Sequence, residues 1–151
     1  MQIGIGGVII SIIPDNNDSA IPLDDAYQPF LSHGQPEVVL RVHYGNLPRF
    51  SHKETAFDTE ANWKMFRGNG EYVLKALARV AILKSDFKSG EIFIRKRGIK
   101  TISPLMYPLG EIIMINLLAK GRGTVVHACG LKYKKRGWLF IGSSQAGKST
   151  M

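Results

Sequence analysis

The residues whose spacing is most specific for chemistry are Gly142-Ser143-Ser144-Gln145-Ala146-Gly147-Lys148-Ser149-Thr150, near the end of the 151-residue chain. They fit the phosphate-binding pattern G-x-x-x-x-G-K-[ST], with Gly142, Gly147, Lys148 and Ser149 in the required places. A tight turn bounded by glycines lets successive backbone N–H groups converge on an anion. The helix that succeeds such a loop adds free N–H donors and the positive end of its dipole. Lys148 would neutralise the β and γ phosphates of ATP, and the Ser149 hydroxyl would ligate a Mg²⁺ ion bridging them. Residues 142–150 are thus the candidate nucleotide-binding set, with Ser149 as the candidate metal ligand. A Gly/Ser-rich turn matched by chance is the competing reading. Against it stands the apolar run Trp138-Leu139-Phe140-Ile141, a short strand of the kind that delivers a P-loop.

The elements that must position this loop read backwards from it. Thr124-Val125-Val126-His127-Ala128-Cys129 has the composition of a strand, residues 132–137 form a tight return, and 138–141 is the strand entering the loop. So short a return makes the two strands antiparallel neighbours, which departs from the doubly wound plan with its helical crossovers. Ahead of them, Pro108 suits a first helical position, Leu109, Ile112, Ile113 and Leu117 share one stripe, and Gly121 supplies the stop. Met114, Ile115 and Leu118 make this helix apolar on most faces, as expected of one buried between two layers.

The first hundred residues read as strands separated by turns. Residues 3–13 form one β-branched strand ended by Pro14, 20–36 form a loop with one helical turn near 23–27, and 38–44 form a second strand. A meander comes next: 55–58, 63–67 with alternating apolar and basic residues, the turn Gly68-Asn69-Gly70, then 72–77, 80–83 and 91–95. A helix over 72–84 is the alternative, because Leu74, Leu77, Ala78 and Ala81 also match helical spacing. The expected class is α+β, in two domains. Residues 1–103 form an antiparallel β-rich region packed on one buried helix, and 104–151 hold the first strands and P-loop of a nucleotide-binding domain.

The stretch from Tyr107-Pro108-Leu109-Gly110-Glu111 through His127-Ala128-Cys129-Gly130 to the P-loop resembles the HPr serine kinase/phosphorylase-like family. The resemblance covers about the last third of the chain, and Gln145-Ala146 is a small departure within the loop. It implies a carboxykinase-like nucleotide domain with a mixed sheet, ATP and Mg²⁺ as cofactors, and a serine of a protein or peptide as phosphoacceptor. It also implies that His127, which stands 142 − 127 = 15 positions before Gly142, lies near the phosphates and orients or tunes a catalytic acid. Read by itself, His127 in an apolar strand is a satisfied core histidine. With the chain ending at Met151, the expectation is an incomplete kinase domain whose catalytic acid lies beyond that residue and which binds MgATP weakly or not at all alone.

Composition narrows the other possibilities. The single Cys129 excludes an internal disulfide framework and makes a reducing, cytoplasmic setting the default. The apolar N-terminal run is too short to span a bilayer and lacks the basic flank and cleavage site of a signal peptide. His33, His43 and His52 have no metal-ligand spacing. A net charge of +8 invites a nucleic-acid reading. The charge clusters at Arg95-Lys96-Arg97 with Lys100, and at Lys132 with Lys134-Lys135-Arg136, where solvated turns are the simpler explanation. Three readings stay open: the N-terminal part of an ATP-dependent serine kinase, a non-catalytic partner-binding β-rich module, and a basic nucleic-acid binder, the last disfavoured. Self-association into a homo-oligomer is left open as well.

Overall fold

The computed structural model describes residues 1–15, 21–22, 25–50, 54–95 and 102–142. Its centre is an eight-stranded sheet with β1 (Gln2–Ile5), β2 (Val8–Pro14), β3 (Val38–Tyr44), β4 (Glu54–Asp58), β5 (Trp63–Gly68), β6 (Glu71–Ala76), β7 (Arg79–Lys84) and β8 (Ser89–Ile94). The spatial order is β1-β2-β3-β8-β7-β6-β5-β4. One α-helix, α1 (Leu109–Leu118), and a 3₁₀ helix, Asp25–Phe30, complete this part. Beyond it lies a separate two-stranded ribbon, made of β9 (Ala128–Tyr133) and β10 (Arg136–Ile141).

The expected α+β class is therefore corrected: strands account for 48% of the described residues against 13% helix, so the fold is mostly β. The helix is not succeeded by the first strands of a carboxykinase-like mixed-sheet domain. The next element is the isolated β9–β10 ribbon. Nor is the large sheet wholly antiparallel, because β2 and β3 pair parallel, as do β3 and β8. The meander from β5 to β8 takes the strand option at 72–84, with every neighbouring pair antiparallel.

The run expected as one strand over 3–13 is two strands folded on the pair Gly6-Gly7. Both glycines have positive φ, 57° and 79°, the backbone that a two-residue hairpin turn demands and that a Cβ would oppose. Asn69-Gly70 makes the corresponding turn between β5 and β6. The helical turn expected near 23–27 is the 3₁₀ helix Asp25–Phe30, with residues 23–24 outside the described set.

Strand alternation sorts side chains onto two faces. Ile3, Ile10, Ile12, Leu40, Val42, Leu74, Ala81, Leu83, Ile92 and Ile94 are buried on one face. Helix α1 covers that face with Leu109, Ile113, Met114 and Leu117, joined by Leu105 from the preceding turn. The expected apolar stripe thus meets the sheet, while Ile115 lies 49% exposed, so the helix is buried along one side only. Residues 105–117, past the domain boundary expected at 103, share one core cluster with the strands. No helix among the described residues is long and apolar enough to cross a membrane.

Two arginines hold the helical segment to the sheet. Arg79 reaches from β7 to the turn that enters α1, donating through Nη1 to the carbonyls of Ser103 and Pro104 and through Nη2 to that of Tyr107. Past the helix, Arg122 forms a forked pair with Glu37, from Nη1 to Oε1 at 2.8 Å and Oε2 at 2.7 Å. Lys88 approaches the same carboxylate at 3.5 Å. The Arg122 hydrogen bond, followed by the positive charges of Arg122 and Lys88, holds the Glu37 carboxyl below its usual 4.5. A depressed folded-state pKa means that this contribution to stability is complete above the unfolded-chain value and disappears as pH falls through the folded one. Thermal denaturation from pH 6 downward should show a steeper loss for the native chain than for Glu37→Gln. Parallel curves below about pH 4.5 would show that the pair does not hold in solution.

Candidate nucleotide-phosphate site

The ribbon that leads into the P-loop sequence begins at Ala128, beyond the end of the helix at Leu118. Its strands are antiparallel, with Arg136 opposite Tyr133 and Ile141 opposite Ala128. Only Lys134 and Lys135 lie between them, both at positive φ, 45° and 64°. That is the backbone of a primed hairpin turn, here made without the glycine or asparagine it ordinarily recruits. The return expected over 132–137 is thus a two-residue turn at 134–135. The strand expected over 124–129 lies further along, at Ala128–Tyr133. Residues 124–127 are not strand, because the pairing ends where Ala128 meets Ile141.

Cross-strand partners place Leu131 with Trp138 and Cys129 with Phe140 on one face of the ribbon. Gly130 with Leu139 and Ala128 with Ile141 stand on the other. Apolar side chains therefore occur on both faces, and Trp138, Leu139 and Ile141 are all more than half exposed. Strands apolar on both faces are the kind that sit inside a layered fold, and an isolated two-stranded ribbon is at best marginally stable. Cys129 is a free, half-buried thiol rather than a core residue.

Strand β10 ends at Ile141, and Gly142, the first residue of the phosphate-loop pattern, comes directly after it as an exposed residue. Ser143, Ser144, Gln145, Ala146, Gly147, Lys148, Ser149 and Thr150 lie outside the described residues, and with them the expected ligands of ATP and Mg²⁺. His127 is exposed and directly precedes β9. It is not the satisfied core histidine that its apolar neighbours suggest. The pairing ends with Ala128 opposite Ile141, and His127 and Gly142 are the residues next to them in sequence, so the histidine stands at the end of the ribbon where the loop pattern begins.

Charge along this part of the sequence is one-sided, with the basic residues of the ribbon gathered at its turn, the end away from Gly142. No Asp or Glu occurs after Glu111 in the chain, whereas Lys132, Lys134, Lys135 and Arg136 surround the ribbon turn and Lys148 sits in the loop. Lys134 lies over the Tyr133 ring, 5.1 Å from its centroid. Among the described residues, no group of three or more His, Cys, Asp or Glu side chains is placed to hold a metal ion.

No family model, curated protein or solved structure matches the chain.

Sequence reasoning missed the two buried or forked arginines, Arg79 and Arg122. Arg79 carried a signal, a lone cation between the apolar Ala78 and Val80. It also missed the pairing of His43 Nδ1 with Asp15 at 2.9 Å and the stacking of His43 on Phe93, with ring centroids 4.6 Å apart. That histidine is a structural joint between β3, β8 and the end of β2.

Proposed function

We propose that the chain binds the phosphates of ATP, with Mg²⁺, through residues 142–150, and that it serves as a cytoplasmic ATP-dependent serine kinase. The observation that carries the reading is the placement of Gly142: a strand of an antiparallel pair ends one residue before the glycine that opens G-x-x-x-x-G-K-S. A P-loop needs such a strand to fix its first glycine, so that the N–H groups after it turn toward one point. The sequence around the loop supports it further, since no Asp or Glu side chain occurs after Glu111 and Lys148 has no acidic sequence neighbour.

In this reading Lys148 holds the β and γ phosphates as a point charge and Ser149 ligates the magnesium ion. His127, the residue before β9, is at the end of the ribbon where the loop pattern begins and serves as a positioning residue for a catalytic acid. The phosphoacceptor is a serine of a protein or peptide. The chemistry that Mg²⁺ supplies when bound is charge neutralisation across the transferring phosphoryl group.

Equilibrium binding of a fluorescent ATP analogue with and without Mg²⁺ tests the reading. Binding is expected to be weak but saturable, stronger with Mg²⁺, and reduced at least about tenfold by Lys148→Ala, the usual scale for one charge-assisted contact. Ser149→Ala should remove the Mg²⁺ enhancement and leave the metal-free affinity in place. Binding indifferent to Lys148 would refute the phosphate loop.

A further inference from the structure

The face of the sheet opposite the helix carries a cavity of about 710 Å³ lined by Leu47, Pro48, Arg49, Phe50, Phe66, Lys75, Val80 and Arg95. Its construction derives from strand register. Lys75 stands opposite Val80 on β7, and Phe66 opposite Val73, all on the face away from α1. Arg95 continues β8 by one residue, its N–H donating to the Ala78 carbonyl at 2.8 Å. The chain leaving β3 returns over this face and brings Phe50 to Phe66, with ring centroids 5.6 Å apart. Val73 and Val80 are buried there, outside the core cluster beneath the helix.

The charge of this cavity is unbalanced. Arg49, Lys75 and Arg95 line it together with no acidic residue. The neighbouring acids are engaged elsewhere: Glu54 with Arg67, Asp58 with Lys64 and Glu71 with Lys84. Among the described residues, none of the three lining cations has a carboxylate partner. Lys75 also faces Lys64 directly across the strand pair, and like charges in that position cost stability. A stable sheet gains nothing from three cations lining one cavity beside two phenyl rings. A dianion attached to an apolar or aromatic body would neutralise the first and bury against the second.

We propose that this cavity is a second ligand site, separate from the P-loop, for a phosphomonoester bearing an aromatic or apolar group. A phosphomonoester carries close to two negative charges at neutral pH and three acceptor oxygens, which suits two arginine forks and a lysine better than a single carboxylate does. Leu47, Pro48, Phe50 and Phe66 supply the apolar wall for its organic part.

Calorimetric titration of the whole chain at low ionic strength, with phenyl phosphate, AMP, inorganic phosphate and benzoate, tests the proposal. Phenyl phosphate or AMP should bind more tightly than inorganic phosphate, which lacks the ring, and than benzoate, which lacks the second charge. The stronger of the two tells an aryl source from a nucleoside source. Lys75→Ala and Arg95→Ala, both at exposed positions, should each weaken that binding about tenfold, while Lys120→Ala, an exposed cation outside both sites, leaves it unchanged. Far-UV circular dichroism establishes that the variants are folded. Inorganic phosphate binding as tightly as phenyl phosphate, or affinity that depends on Lys148 and not on Lys75 and Arg95, overturns it.

Discussion

Arg79→Ala should destabilise the chain by about 3–5 kcal/mol, the range for stripping a buried charged partner from its acceptors. Only 2% of Arg79 is exposed, and its guanidinium gathers the carbonyls of Ser103, Pro104 and Tyr107 just before α1. Truncation would leave these acceptors without their donor and open a cavity between β7 and the turn. Arg79→Lys should recover little, because an ammonium on a flexible stem cannot span carbonyls of three residues as a planar fork does. Urea denaturation of the three proteins measures the differences. Burial pushes the Arg79 pKa down to about 10 from 12.5, with Tyr27 and Glu111 opposing the shift. Between those values the unfolded chain binds more protons, so this residue's contribution to stability rises as pH climbs through 10.

Ile113→Ala is the second large effect, with an expected loss of about 3 kcal/mol from removed burial and the void left behind. Ile113 is fully buried at the centre of the face that α1 presents to the sheet. Ile115, two residues on and 49% exposed, should lose under about 1 kcal/mol on the same substitution. The pair reads the rotational setting of the helix. Equal losses at the two positions would mean that the helix is covered on both sides.

That contrast also marks what the sequence could convey. The stripe Leu109, Ile113, Leu117 is a local period, and the helix formed at Leu109–Leu118 where the stripe predicts it. Likewise, Val38–Tyr44 alternates in sequence and alternates in burial. The split of the N-terminal run at Gly6-Gly7 was legible too, but β-branched residues on both sides of the turn read as one strand unless the glycines are given weight. The parallel pairing of β3 with β8 had no local signal, because it joins residues some fifty positions apart through matched faces alone. Among the described residues one ten-residue α-helix is set against ten strands, which makes the fold mostly β rather than α+β.

The candidate sites divide in the same manner. The phosphate-loop pattern is contiguous and is visible in residues 142–150 alone, and the strand before it was legible from its apolar run, with its start at Arg136 rather than Trp138. Arg49, Lys75 and Arg95 come from three separate segments and meet only through sheet register and the returning chain after β3. His127 is intermediate: its apolar neighbours in sequence suggested burial, and only the structure, with the β9–β10 pairing ending at Ala128, shows that it is exposed.

The most direct measurement is a residue-resolved one, the backbone amide spectrum of the ¹⁵N-labelled chain titrated with MgATP. If β10 delivers a phosphate loop, the largest shifts will fall on 142–150, with smaller ones on His127, Ile141 and their ribbon neighbours, and Lys148→Ala will abolish them. Shifts centred on any other part of the chain, or a 142–150 segment that stays silent while nucleotide binds, would contradict the assignment of ATP to this loop.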